Sequence, residues 1–398
     1  DVHLESLEFL IDHFEVKESD VFVATYVKAG TTWTQQIIHL LLRNGYPGGF
    51  YSESVPWLEA LSSDVLAPRE APTWSLDKVK AAPTPRYFKT HATPSQLPGA
   101  GISAGALLDA GCTPTAPRVI YVARNPKDTM VSLYHHAKSK PEFGFNGTFA
   151  DFYGLFVAGQ VENGSWFEHV LSWHQQYQKA PVGSYLWLQY EDMVKNPLQA
   201  VRTIAAFLNV IPAVQVGVPI EGDAEAVTVT PPRSNPLNST TSKHDPTSAS
   251  TCTAIAASVL PSQMTGSCSA GKDEAPDPLF KDPAAEEQVQ VQESKEGKAE
   301  VLVEAILQRV VAHAGLQQMK NQASIGLNHI RRGGYGGWRE YFSATMDEHF
   351  NKLYREKMRG SGLKFNFGPK RCDADSTGRS AGECGHDQEE SLMEDEVY

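Results

Sequence analysis

"VFVATYVKAGTTWTQQIIHLLL", residues 21–42, joins two apolar segments of different period across Lys28-Ala29-Gly30-Thr31-Thr32. The first segment is a short apolar run of the kind found in strands buried on both faces. The second repeats its apolar side chains at helical spacing. A strand that turns directly into a helix presents the helix's first N–H groups, which lack intrahelical acceptors. Those of Gly30, Thr31, Thr32 and Trp33 form a cradle for an anion, reinforced by the helix dipole. Gly30 permits the sharp bend and a close approach of the backbone. Two readings follow. In one the turn is a phosphate-binding loop, with the Thr31 and Thr32 hydroxyls as further donors and Lys28 as a full charge. In the other it is an ordinary turn with a solvated lysine and an N-capping threonine. The lysine precedes the glycine, whereas a Walker A loop places it after the last glycine. A standard P-loop nucleoside triphosphatase is therefore disfavoured.

The same alternation recurs along the chain. Val21–Val27, Arg86–Lys89, Arg118–Ala123 and Tyr185–Gln189 read as strands. Trp33–Leu42, Pro126–Lys138 and Pro197–Leu208 read as helices, two of them opened by proline, which costs nothing in a first turn. This predicts an α/β fold: one domain over 17–368, with a central parallel β-sheet flanked by helices and a P-loop-like strand–loop–helix. Ligands of such sheets gather at the carboxyl ends of the strands, where Lys28, Lys89, His91, Arg124 and Tyr190 fall.

Residues 212–299 interrupt the pattern. Phe280 is their one aromatic residue amid Ser, Thr, Pro, Ala and Glu, so burial cannot offset the entropy of ordering and a disordered insertion is expected. Gly99–Pro117 reads as a smaller irregular loop, and Glu300–Val311 as a helix. Residues 369–398 read as a disordered acidic tail that carries half of the net charge of −12. The acidic balance argues against a nucleic-acid partner. The five cysteines form no CxxC pair, so neither a disulfide framework nor a zinc site is expected. No run approaches the length of a membrane span.

Three further segments carry chemistry. In "YFKTHATPSQLP" (87–98), Lys89 and His91 stand two apart at a strand end and can point the same way. Histidine suits a general base, and it equally suits a hydrogen-bonded core position. In "RVIYVARNPKDTMVSLYHH" (118–136), the Arg124 fork and the Ser132 hydroxyl suit a phosphate, or Arg124 pairs with Asp128. In "RRGGYGGWREYF" (331–342), Arg331 and Arg332 precede glycines at 333, 334, 336 and 337, which let backbone N–H groups approach a ligand or simply make a flexible basic loop. Taken together, these segments imply a ligand with phosphate at both ends.

Their order resembles the cytosolic sulfotransferases, which use 3′-phosphoadenosine-5′-phosphosulfate (PAPS). TYVKAGTTW resembles the family's TYPKSGTTW, KTHATPSQLP its KTHLP segment, RNPKDTMVSLYHH its RNxKDxxVSxYH block, and RRGGYGGWREYF its RKGxxGDWK motif. "GQVENGSWFEHVLSWH" (159–174) and "YEDM" (190–193) also match in kind and order. The likeness spans about 20–209 and 300–367. It implies that Lys28, Ala29, Gly30, Thr31, Thr32 and Trp33 hold the 5′-phosphosulfate. Arg124, Ser132, Arg331, Arg332 and Gly333 would hold the 3′-phosphate. Trp33, Tyr190, Ala314, Leu316 and Met319 would surround the adenine. His91 would take the acceptor's proton and Lys89 would steady the transferring group, with no metal. The acceptor would be a phenol, steroid or arylamine, in a pocket near Phe22, Tyr134 and His136. The resemblance also implies a cytoplasmic protein, and a homodimer through Arg339–Glu348.

Departures from the family pattern matter. Val27 and Ala29 stand where the family has Pro and Ser. Ala314 and Leu316 replace its Thr and Phe, which predicts weaker cofactor binding. A PAPS-binding relative with little activity is therefore one alternative reading, and a nucleotide-dependent small-molecule kinase is another.

Overall fold

Four parallel strands form one sheet in the order β2-β1-β3-β4, with β1 Val21–Thr25, β2 Tyr87–Thr90, β3 Arg118–Ala123 and β4 Tyr185–Gln189. The computed structural model describes residues 2–62, 74–98, 117–211, 299–321 and 333–369. The expected insertion up to residue 298, the loop 99–116, the tail from 370, and Arg331 and Arg332 lie outside the described residues.

Alternation along the strands assigns side chains to two cores. Phe22 and Ala24 of β1, with Val119, Tyr121 and Ala123 of β3, face one side. Val21 and Val23, with Ile120 and Val122, face the other, as a period of two requires. The helices Thr31–Leu41 and Pro197–Leu208, and the helix over 299–313, cover the second face through Ile37, Ile38, Val201, Ile204 and Leu307. Pro126–Ser139, Trp166–Lys179 and Ala344–Met358 cover the first.

The buried Arg86–Asp20 pair sets the strands in register. Arg86 Nε and Nη2 donate to the two carboxylate oxygens at 2.8 and 2.6 Å. Val21 then aligns with Tyr87 on one side and Arg118 on the other. The chain leaves β1 for β2 on one side and returns to β3 on the other. The crevice outside the carboxyl ends of β1 and β3 is therefore the topological switch point, where such sheets bind ligands.

Phe22 requires a correction. It begins β1, is 1% exposed, and packs against Phe88 at 5.8 Å. It belongs to the core at the strand's amino half and lines no pocket at the carboxyl ends.

Lys127 fastens the C-terminal helix to this frame. It is 1% exposed, donates to Asn351 Oδ1 at 2.5 Å and to Asp347, and lies 4.0 Å from the Trp338 ring centroid. Its neighbours are aromatic on most sides, so the ammonium is held by cation–π attraction as well as by hydrogen bonds. Lys127→Ala is expected to cost about 2–4 kcal/mol through the lost stem packing and the lost charge contacts. Urea unfolding measures this, and a change under about 1 kcal/mol would deny Lys127 that role.

Candidate active site

The turn after β1 is tighter than its apolar run suggested. The strand ends at Thr25, and Ala29 N–H donates to Tyr26 O at 3.1 Å. Lys28 takes φ 68° and Gly30 φ 113°, both left-handed. A Cβ on Gly30 would stand 2.8 Å from the Tyr190 ring, so space as well as φ demands glycine there. The helix then opens at Thr31 with no side-chain cap. Thr31 is not an N-capping threonine: its hydroxyl lies 2.6 Å from that of Thr25. The first-turn N–H groups are thus left to a ligand. Ala29 drops out of the cradle, because its N–H serves the turn and its side chain is fully buried.

Lys28 lies near enough to other cations to feel their charge. Burial, and then the charge of Arg124, pull its pKa down to about 8 against the opposing pull of Glu162, and Lys89 and Lys140 lower it further. An anion placed here would relieve that crowding.

Lys89 and His91 follow from β2. Lys89 lies over the Trp57 ring at 4.1 Å, and burial brings it to about 8 while Glu59 and Glu162 counteract. His91 is 6% exposed and oriented from three sides. Its backbone N–H donates to Glu59 Oε1 at 2.7 Å, and its carbonyl accepts from His169 Nε2 at 3.0 Å. Its Nδ1 lies 2.9 Å from the Thr25 carbonyl. A carbonyl only accepts, so Nδ1 carries the hydrogen and Nε2 of the neutral ring keeps its lone pair. His169 is fixed the same way: Nε2 donates to His91, so Nδ1 accepts from Tyr121 Oη at 3.0 Å. Burial holds His169 down to about 4, so it stays neutral.

Arg124 joins the two candidate anion sites. Its Nη1 donates to Lys28 O at 2.9 Å and its Nη2 to Gly334 O at 3.0 Å, and the guanidinium stacks 4.4 Å over Tyr190. Its Nε is buried and without a hydrogen-bond partner among the described residues. A buried donor left bare is costly, so this atom fits an incoming acceptor. Asp128, the alternative partner for Arg124, is engaged elsewhere. Its carboxylate accepts from Gly336 N–H at 2.6 Å and Trp338 N–H at 3.0 Å, which ties the glycine-rich loop to the helix Pro126–Ser139.

The sequence model of the "Sulfotransferase domain" matches residues 18–245 and 279–362. The chain belongs to the sulfotransferase family. Dog sulfotransferase 1B1 is 34% identical over 202 residues, 50% of this chain and 62% of that protein. Human sulfotransferase 1C2 is 31% identical over 198 residues, 50% of this chain and 61% of that protein. These alignments therefore span less than two-thirds of either relative. The fold is shared with mouse sulfotransferase SULT7A1 complexed with PAP, at TM-score 0.52 and 21% identity over 90% of this chain and 91% of that one. It is also shared with retinol dehydratase in complex with androsterone and PAP, at TM-score 0.54 and 20% identity over 91% and 87%.

The remaining residues of the candidate site divide cleanly. Trp33 meets Tyr190 edge-on at 5.7 Å, beside the Gly30 turn. Leu316 sits on Gly333, where an added Cβ would approach to 2.6 Å. Met319 and Ala314 are buried, each 2% exposed, and Ala314 belongs to the second core. Ser132 is half-buried on the helix that carries His136. His136 lies 3.9 Å from Glu162, and burial, then Lys28, Lys140 and Lys89, press it down to about 3. Tyr134 is corrected: two residues along a helix are about 200° apart, and it packs instead against Phe149 and Phe152 at 5.4 and 5.8 Å. The segment Arg339–Glu348 opens the C-terminal helix, with Ser343 as its cap. Sequence reasoning missed Thr25, Glu59, His169, Glu162 and Glu191. Of these, Thr25, Glu162, His169 and Glu191 lie in stretches that match the family pattern, TYVKAGTTW, GQVENGSWFEHVLSWH and YEDM, but the contacts they make could not be read there, and Glu59 lies in none of them.

Among the described residues no helix is long and apolar enough to cross a membrane.

Proposed function

We propose that this chain transfers a sulfuryl group from PAPS to a hydroxyl or amine of a small acceptor of the phenol, steroid or arylamine class, in the cytoplasm. The observation that carries this reading is Arg124. It bridges the Lys28 turn and the glycine-rich loop while its buried Nε has no hydrogen-bond partner among the described residues. A donor with phosphate groups at two positions suits that arrangement.

When bound, such a donor supplies a sulfuryl group already activated on a phosphate leaving group. The chain's own residues do the rest. Lys28 and the N–H groups of Gly30–Trp33 hold the phosphosulfate end and neutralise charge there. Arg124, with Ser132 and the backbone of the glycine-rich loop, holds the second phosphate. His91 Nε2 takes the proton of the acceptor, and the Thr25 carbonyl keeps the ring in the tautomer that allows it. Lys89, at the same strand end, faces the transferring group.

The test is a panel of phenols, steroids and arylamines with labelled PAPS. Label is expected on at least one class. Binding of PAP without transfer to any class would favour the alternative reading, a nucleotide-binding relative without turnover.

A further inference from the structure

One buried carboxylate lies behind the nucleotide site, and the mechanism does not use it. Glu191 is 0% exposed and follows Tyr190 directly after β4. Its Oε1 accepts from Asn125 N–H at 2.9 Å and from Asn125 Nδ2 at 3.0 Å. Its Oε2 is buried with no hydrogen-bond partner among the described residues. Asn125 Nδ2 is also 2.8 Å from Asp128 Oδ2 and 3.0 Å from Asn366 O. Asp128 in turn receives the N–H groups of Gly336 and Trp338. A single polar hub thus fixes the β3–helix turn that bears Arg124, and through Asp128 the glycine-rich loop to which Arg124 also donates.

We infer that Glu191 is a positioning residue of the nucleotide site and that filling the site transfers a proton to it. This rests on the reading that an anionic nucleotide occupies the site at Arg124. Burial raises the Glu191 pKa to about 7; the Asn125 N–H and the Arg124 charge oppose this, and the Asp128 charge adds to it. Among the described residues the groups facing it are Arg124 from the end of β3, Asn125 and Asp128 from the following helix, the neighbouring Tyr190 phenol, and the Asn366 carbonyl beyond Asn125 from the C-terminal segment. An anion on Arg124 offsets the positive charge that favours the ionised carboxylate and adds negative charge nearby. Both effects raise the Glu191 pKa, so a nucleotide entering near neutral pH draws a proton in. The bare Oε2 is consistent with this, because an ionised oxygen without donors is costly in a dry site and a neutral carboxyl is less so.

Calorimetric titration with PAP tests the inference, run at pH 7 in two buffers of different ionisation heat. The unmodified protein is expected to take up more protons per PAP bound than Glu191→Gln, because the carboxylate can accept a proton and the amide cannot. The Gln carbonyl still accepts from Asn125 N–H, which keeps the hub, and each protein is titrated at PAP concentrations that saturate its own site. Lys28 and the nucleotide's own phosphates contribute equally to both proteins and cancel in the difference. Equal proton counts in the two proteins overturn the inference and leave the nucleotide reading intact. Failure of the unmodified protein to bind PAP overturns the nucleotide reading itself, and the inference with it. Should Glu191→Gln not fold, infrared difference spectra of the unmodified protein decide. Protonated-carboxyl absorption must rise on adding PAP at pH 7, and no rise refutes the proton transfer.

Discussion

His91→Ala is expected to lower turnover with labelled PAPS by about 10²–10⁴-fold, the usual worth of a positioned general base. PAP affinity should change by less than roughly threefold. The split follows from where the side chain's contacts lie. The imidazole reaches back to the Thr25 carbonyl at 2.9 Å and faces the Trp57 ring at 6.1 Å. The ring also lies 3.3 Å from the Thr25 hydroxyl, which meets the Thr31 hydroxyl at 2.6 Å, but neither the Thr25 carbonyl nor Trp57 belongs to the cradle of Gly30–Trp33 or to the Arg124 hub. With Nδ1–H committed to a carbonyl, Nε2 is the ring atom able to accept a proton. His91→Gln tests this further. A glutamine replaces the bulk of the ring and provides no comparable base at neutral pH, so it should fail as His91→Ala does. Single-turnover measurements separate this from product release, and near-normal transfer by either variant would sink the assignment of His91 as base. His169→Phe is the informative companion. It removes the donor to the His91 carbonyl at 3.0 Å and leaves the ring itself in place. Its effect should therefore be smaller, and should act through misplacement of His91.

The parts of this molecule legible in its sequence are those governed by local rules. Short continuous apolar runs identified β1 and β3 because both faces of the sheet are covered, and such runs admit few other readings. The Lys28–Trp33 turn was legible because a helix start has unsatisfied donors whatever packs around it. The strand boundary at Thr25 was not legible, since Tyr26 and Val27 are as apolar as the strand and leave it only because the turn closes on Tyr26 O. Tyr134 and Phe22 were misread for a related reason. Nearness to a motif in sequence gives neither position nor direction: the helix period turns Tyr134 toward Phe149 and Phe152, and Phe22 stands at the amino half of β1. Glu59 and His169 were invisible because they meet His91 across 32 and 78 residues of chain. Asp128 was legible as a residue and not as a partner, because its true acceptor role is toward backbone N–H groups of a loop more than 200 residues away.

Arg124→Ala should weaken PAP binding by about 10²–10³-fold, the scale expected when one member of a buried, charge-assisted set is truncated. Three effects act together. The positive charge and its bare Nε are lost from the site. The Lys28 carbonyl loses its donor, so the left-handed residue at the centre of the turn loses a restraint. The Gly334 carbonyl loses its donor too, which loosens the glycine-rich loop on the side away from Asp128. Arg124→Lys restores only the charge. An ammonium on a flexible stem cannot reach both carbonyls in the planar geometry of the fork, nor stack as flatly over the Tyr190 ring now 4.4 Å away. The lysine variant is therefore expected to recover less than about a tenth of the lost affinity. Recovery to within threefold by lysine would mean that charge alone matters and that the bridge between the two loops is incidental. The two variants differ for Lys28 in a way that can be read independently. Loss of the neighbouring guanidinium charge should raise the Lys28 pKa from about 8 in Arg124→Ala, while Arg124→Lys should leave it low. Chemical labelling of Lys28 against pH reports that shift without any nucleotide present.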